Sequence, residues 1–133
     1  MSRSLIQTAN SSDQNVANNG IIGLGQVLRR YGCNCRLNGD AVEIEGAGYY
    51  TVSATVTATP TDAGAVSAAV YKDGVAVTAA NSTQTAAADG DTVTLPLETT
   101  VRLNCCDGAS AITLVLTSGA GVVDNVSLRV EKE

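Results

Sequence analysis

Two tight cysteine clusters, Cys33-Asn34-Cys35 and Cys105-Cys106, are the part of this sequence whose residue types and spacing most invite chemistry. On an extended strand Cys33 and Cys35 project to one face, whereas the neighbours Cys105 and Cys106 diverge. Three chemistries stay open. Disulfides between the clusters would close a loop of about seventy residues, worth roughly 4 kcal/mol in the chain-entropy model. Four reduced, half-buried thiols would instead pack as small hydrophobes. Four thiolates could also hold a metal ion, although CxC and CC are tighter than the CxxC pairs common in zinc sites.

The remaining candidates for chemistry are sparse. The chain contains no His, so the usual general base near neutral pH and the commonest metal ligand are missing. Ser-His-Asp and Cys-His nucleophiles cannot form within it. Asp40, Asp62, Asp73, Asp89, Asp91 and Asp107 cluster at expected turns, where they read as turn and solvation residues. Asp89-Gly90-Asp91 falls short of a calcium loop, which needs more acidic positions and a terminal Glu. Gly23-Leu24-Gly25 belongs to no phosphate-loop pattern. Glu43 and Glu45 would stand about 7 Å apart on one strand face, a separation suited to an inverting pair of carboxylates. Their alternation with Val42 and Ile44 explains them more simply as a solvent face. Only Tyr31, Tyr49, Tyr50 and Tyr71 are present as aromatic platforms for a sugar. The expectation is no catalytic residue, no cofactor and no metal.

The elements that must position these groups form one domain of 133 residues. Phe and Trp are absent, so the apolar content comes mainly from Ala, Val, Leu and Ile. Large aromatic anchors normally supply much of a small domain's burial; their scarcity points to further burial against partner subunits. The net charge is −5, and only Arg29-Arg30 sit together among eight basic residues. A nucleic-acid binder concentrates positive charge, so nucleic acid is not expected as a partner. No stretch is long enough to span a membrane as a helix. The polar start lacks the apolar segment of a secretion signal, and synthesis in a cytoplasm is expected.

Residues 1–20, rich in Ser, Asn and Gln, read as an extended arm with a short apolar segment at Leu5-Ile6, mobile until docked, with one edge strand followed by a turn as the alternative within it. Residues 21–133 read as β almost throughout. Tyr50, Val52, Ala54, Val56 and Ala58 alternate with Tyr49, Thr51, Ser53, Thr55 and Thr57, the period of a strand with one apolar face. The same period runs through Val66/Ala68/Val70, Val93/Leu95/Leu97, Ile112/Leu114/Leu116 and Val126/Leu128/Val130. Asn38-Gly39, Asp73-Gly74, Asp89-Gly90, Asp107-Gly108 and Gly119-Ala120-Gly121 separate the runs as turns. Lys72-Asp73-Gly74 is a hairpin signal. Thr59-Pro60 should end a strand, and Pro96 marks an edge position or bulge. Gly25–Tyr31 is the only helix-like stretch; short, uncapped and flanked by glycines, it is not taken as a helix. Ala79–Ala88 reads as an exposed loop of low complexity. Turns about ten residues apart point to a sandwich or barrel.

The run from Val42 through Gly46-Ala47-Gly48-Tyr49-Tyr50 to Ala54 resembles a signature of the tumour-necrosis-factor-like and complement-globular-head-like jelly rolls. Ala69–Val77 looks like the next hairpin of that family, and Val122–Val130 like its final strand. The resemblance covers roughly residues 20–131, with motifs common in other β proteins too. It implies an all-β, antiparallel jelly-roll β-sandwich of about 8–10 strands, assembled as a homotrimer. More narrowly, the Ser/Asn/Gln arm, the CxC, the Gly-Tyr-Tyr-Thr-Val run and the CC look like small structural proteins of phages and prophages of gut Firmicutes. That implies a virion-surface decoration protein, with a major capsid protein or another virion protein as partner and Leu5-Ile6 in the docking arm. A tail-fibre or surface carbohydrate- or receptor-binding module is the alternative. A spore-surface role fits less well without a collagen-like stalk, and the aromatic residues that commonly line the trimer axis of the family are missing. A particle released by lysis could acquire disulfides that a cytoplasm would keep reduced.

Overall fold

The structure, a computed structural model, describes residues 4–88, 90–104 and 108–132, with the backbone alone at 78 and 79. Twelve strands and no helix are found among the described residues. They form two antiparallel sheets that face each other as a sandwich. The first comprises β10 (Val93–Leu103), β7 (Gly48–Pro60), β12 (Gly121–Lys132), β1 (Ser4–Asn10) and β4 (Gln26–Tyr31), in that order, with β2 (Gln14–Val16) also paired to β12. The second runs β5 (Cys35–Asn38), β6 (Ala41–Ile44), β11 (Ser110–Ser118), β8 (Gly64–Lys72) and β9 (Val75–Ala86), with β3 (Gly20–Ile21) also paired to β11. From β9 onward each successive long strand crosses from one sheet to the other, as does β7 to β8, while β8 and β9 form a hairpin within the second sheet. The strands beyond the expected eight to ten are short ones, β2 and β3 above all.

Period-two alternation supplies the core. Tyr50, Val52, Ala54, Val56 and Ala58 point inward from β7, and Val66, Ala68 and Val70 from β8. Leu95 and Leu97 on β10, Ile112, Leu114 and Leu116 on β11, and Val126, Leu128 and Val130 on β12 complete the two inner faces. Aliphatic side chains fill this space with Tyr50 as the one large aromatic body among the fully buried side chains. Turn chemistry sets the registers. Lys72 pairs with Val75 across Asp73 (φ 53°) and Gly74 (φ 81°), both left-handed, the two-residue hairpin that Asp-Gly favours. Pro96 sits on β10, an edge strand, where its missing N–H breaks no ladder. β7 ends at Pro60.

Two readings from sequence are corrected. The arm expected over residues 1–20 is, from Ser4 to Asn10, an interior strand hydrogen-bonded to β12 on one side and β4 on the other. Ile6 is fully buried in the core and is therefore unavailable as a docking residue, and Leu5 points to the outer face. Ser4 is buried as well: its Oγ donates to Asn34 Oδ1 at 2.7 Å and accepts from the Asn34 N–H at 3.1 Å. The stretch Ala79–Ala88, expected as a loop, is strand through Ala86, paired residue by residue with β8 from Gly64↔Ala86 to Ala69↔Asn81. Gly25–Tyr31, too short and uncapped for a helix, is accordingly strand: edge strand β4, entered through Gly25 (φ 78°), where a Cβ would collide with the Ala9 carbonyl oxygen.

β1 also carries a polar misfit. Thr8 is fully buried at the bulge where the β1–β4 register shifts, and its Oγ1 has no hydrogen-bond partner among the described residues. A buried hydroxyl without a partner costs its desolvation with no return. Thr8→Val, nearly isosteric, is expected to raise stability by about 1 kcal/mol. A lower midpoint of urea denaturation in the variant would show that the hydroxyl has a partner after all.

Candidate functional site

Cys33 is exposed in the connection between β4 and β5, Cys35 is buried at the start of β5, and both carry free thiols. Cys105 and Cys106, the second cluster of the sequence reading, lie outside the described residues. The ends of the connection that holds them are placed. β10 ends at Leu103, opposite Gly48, and β11 begins at Ser110, opposite Ile44, which itself pairs with Cys35. Both ends of that connection therefore reach the end of the sandwich that carries Cys35.

This end is closed by a half-buried polar knot. The Tyr50 hydroxyl donates to the carbonyl oxygens of Glu45 (2.7 Å) and Gly46 (2.8 Å). Asn34 Nδ2 donates to the same Glu45 carbonyl, and the Glu45 N–H donates to Asn34 O at 2.9 Å. Arg30 Nε donates to Cys35 O at 2.7 Å. Burial pushes the Cys35 thiol up to about 11, against the opposing pull of Arg30 and Lys132. Burial likewise pushes Tyr50 up to about 12, with Cys35 and Glu45 adding to it and the Asn34 hydrogen bond opposing it. A thiol held neutral in this way is a poor nucleophile and a poor metal ligand. Among the described residues, no three His, Cys, Asp or Glu side chains gather closely enough to hold a metal ion.

The two raised values fix a direction for alkaline stability. Both groups bind their protons more tightly folded than unfolded, so their contribution is intact below the unfolded pKa and is lost as pH rises through the folded one. Stability is expected to fall from about pH 9, where an unfolded thiol ionises, through 11 for Cys35, and then from 10 to about 12 for Tyr50. Cys35→Ala should delay the onset by about one pH unit, toward the ordinary tyrosine range. Urea midpoints measured from pH 8 to 12 check this; an onset unchanged in the variant would exclude Cys35 as its source.

Glu43 stands on the outer side of the second sheet, as its alternation with buried Val42 and Ile44 requires, and Glu45 is exposed just past the end of β6. Glu43 accepts from Asn38 Nδ2 at 2.8 Å and from Arg36 Nε at 2.6 Å. These hydrogen bonds, Asn38 first, hold its carboxyl below the usual range. A glycosidase acid needs the opposite shift.

The broad surface with a contour of its own is the outer face of the first sheet. Tyr49, Thr51, Ser53, Thr55 and Thr57 from β7 lie beside Thr94, Pro96, Glu98, Thr100 and Arg102 from β10. Ser127, Arg129 and Glu131 from β12 and Leu5, Gln7 and Ala9 from β1 continue it. An open recess in its middle is lined by Gln7, Ser53, Pro96, Glu98, Ser127 and Arg129. Sequence patterning marks these positions only as the polar half of each strand.

With strand order and faces established, solved structures show what the chain resembles. Murine APRIL superposes with a TM-score of 0.76 over 99% of this chain and 100% of its own, at 14% identity. The globular domain of the zebrafish complement 1qA protein gives 0.70 over 96% and 94%, at 6% identity. The fold is the jelly roll of tumour-necrosis-factor-like and complement globular-head proteins. The PRD1 vertex protein P5 gives a TM-score of 0.57 over 98% of this chain and 72% of its own, at 10% identity. No protein-family model matches the sequence, and no curated protein matches it. At these identities the likeness concerns the fold.

Proposed function

We propose that the chain is a structural protein of a bacteriophage particle surface, assembled as a trimer of jelly rolls and working by binding, not catalysis. The observation that carries this reading is the fold itself, a jelly roll spanning nearly the whole chain and similar in shape to a protein whose name places it at a vertex. The sequence likeness to small structural proteins of phages and prophages points the same way. Among the described candidates for chemistry, Cys35 is buried with its thiol held neutral and Glu43 is held ionised by its hydrogen bonds from Asn38 and Arg36. A neutral thiol is a poor nucleophile, and an ionised carboxyl cannot serve as a general acid.

Two measurements test the reading. Light scattering on the purified chain should give three times the 13.5 kDa of one chain. Mass spectrometry of purified particles should find the chain in a fixed copy number divisible by three. A monomer at micromolar concentration that is also absent from particles would sink the proposal.

A further inference from the structure

The registers of the first sheet align one row of side chains across its outer face. Arg29 on β4 pairs with Gln7 on β1, Gln7 with Arg129 on β12, Arg129 with Ser53 on β7, and Ser53 with Glu98 on β10. The row runs from one edge strand to the other, positive on the β4 and β12 side and negative on β10. Adjacent strands stand about 4.8 Å apart, which leaves roughly 10 Å between the backbones of Arg129 and Glu98. Among the described residues each has only a loose partner. Arg129 Nη2 lies 3.7 Å from Glu131 Oε2 with its side chain 53% exposed, and Glu98 Oε2 accepts from Ser53 Oγ at 3.4 Å. The flanking positions on β10 and β7 are Pro96, Thr100, Thr51 and Thr55, so Glu98 is a single charge among small neutral side chains. The recess at the centre of the face lies on this row, with Arg129 on one wall and Glu98 on the other.

We propose that this row is a contact between copies of the chain, in which Glu98 of one copy pairs with Arg129 of the next and Arg29 extends the positive side. The inference rests on the trimeric reading above. A cyclic trimer is built from heterologous contacts, in which two different patches of each copy meet and the rotation closes. A face whose two halves carry opposite charge on one row offers such patches. The occupant of the recess is then a second copy of this chain, which covers the polar Thr/Ser surface around it.

The test is a charge reversal and its rescue on the full chain. Glu98→Arg and Arg129→Glu should each weaken assembly by at least about tenfold, and the doubly reversed chain should return to within a few fold of the original, since close interfacial charge pairs couple strongly. Sedimentation over a range of concentrations, at low and high salt, reads the effect. Both side chains are exposed, so melting of the dissociated variants should stay cooperative and reports separately on folding. An original chain that is monomeric at all concentrations overturns the trimeric reading and this inference with it. An original chain that assembles while the single reversals assemble equally well overturns this inference alone. So does a double reversal that stays dissociated.

Discussion

A chain lacking residues 1–10 is expected not to fold. β1 lies between β12 and β4, so its loss opens one edge of the twelve-residue strand β12 and leaves β4 without its ladder partner. It also removes Ile6 from the core and frees Asn34 from Ser4, loosening the knot that closes the Cys35 end. Truncating a buried Ile to Ala alone costs about 2–5 kcal/mol. A domain of this size is stable by only about 5–15 kcal/mol, and losing an interior strand adds the unpaired backbone of its neighbours to the lost burial. Circular dichroism and thermal melting check the outcome. The expected result is no cooperative transition in the truncated chain, with Ile6→Ala still folded but less stable by the amount above. A truncated chain that melts cooperatively near the original temperature would show that β1 is an appendage.

β1 was hidden in the sequence because of its side chains. Its inward positions are Ser4, Ile6 and Thr8, so one apolar residue marks a strand whose place is set by pairing with β12 at the other end of the chain. β9 is hidden for a related reason: an edge strand of Asn, Ser, Thr, Gln and Ala buries little, and its ladder to β8 does not show in hydropathy. β4, exposed at all six positions, has no period to read. β7, β11 and β12 are legible because both of their neighbours lie in a sheet and their inner faces meet the opposite one, which forces strict alternation. Asp73-Gly74 and Pro96 are legible because backbone conformation alone decides them. The row of Arg29, Arg129 and Glu98 had only a local signal, each residue flanked by strand neighbours in a polar position. Strand order brings them together, and composition does not carry strand order.

Tyr50→Ala is expected to cost about 4 kcal/mol, in the range of aromatic truncations in packed cores. The ring is fully buried in a core otherwise built from aliphatic residues, so no neighbouring aromatic can close the space it leaves. Its hydroxyl holds the carbonyls of Glu45 and Gly46 across the turn that leads into β7, where Gly46 (φ 102°) and Gly48 (φ 142°) both take conformations that other residues avoid. Tyr50→Phe separates the two roles. It keeps the ring and removes the donor, leaving the Gly46 carbonyl without this partner while the Glu45 carbonyl retains Asn34. A net hydrogen bond is worth about 1 kcal/mol, and a buried acceptor left unpaired costs about 1–3 kcal/mol, so a loss of about 1–2 kcal/mol is expected for Phe. Urea denaturation of the three chains at pH 7 reads both values. Equal losses for Phe and Ala would place the stabilisation in the hydroxyl and its turn. A Phe chain as stable as the original would place it in the packing of the ring.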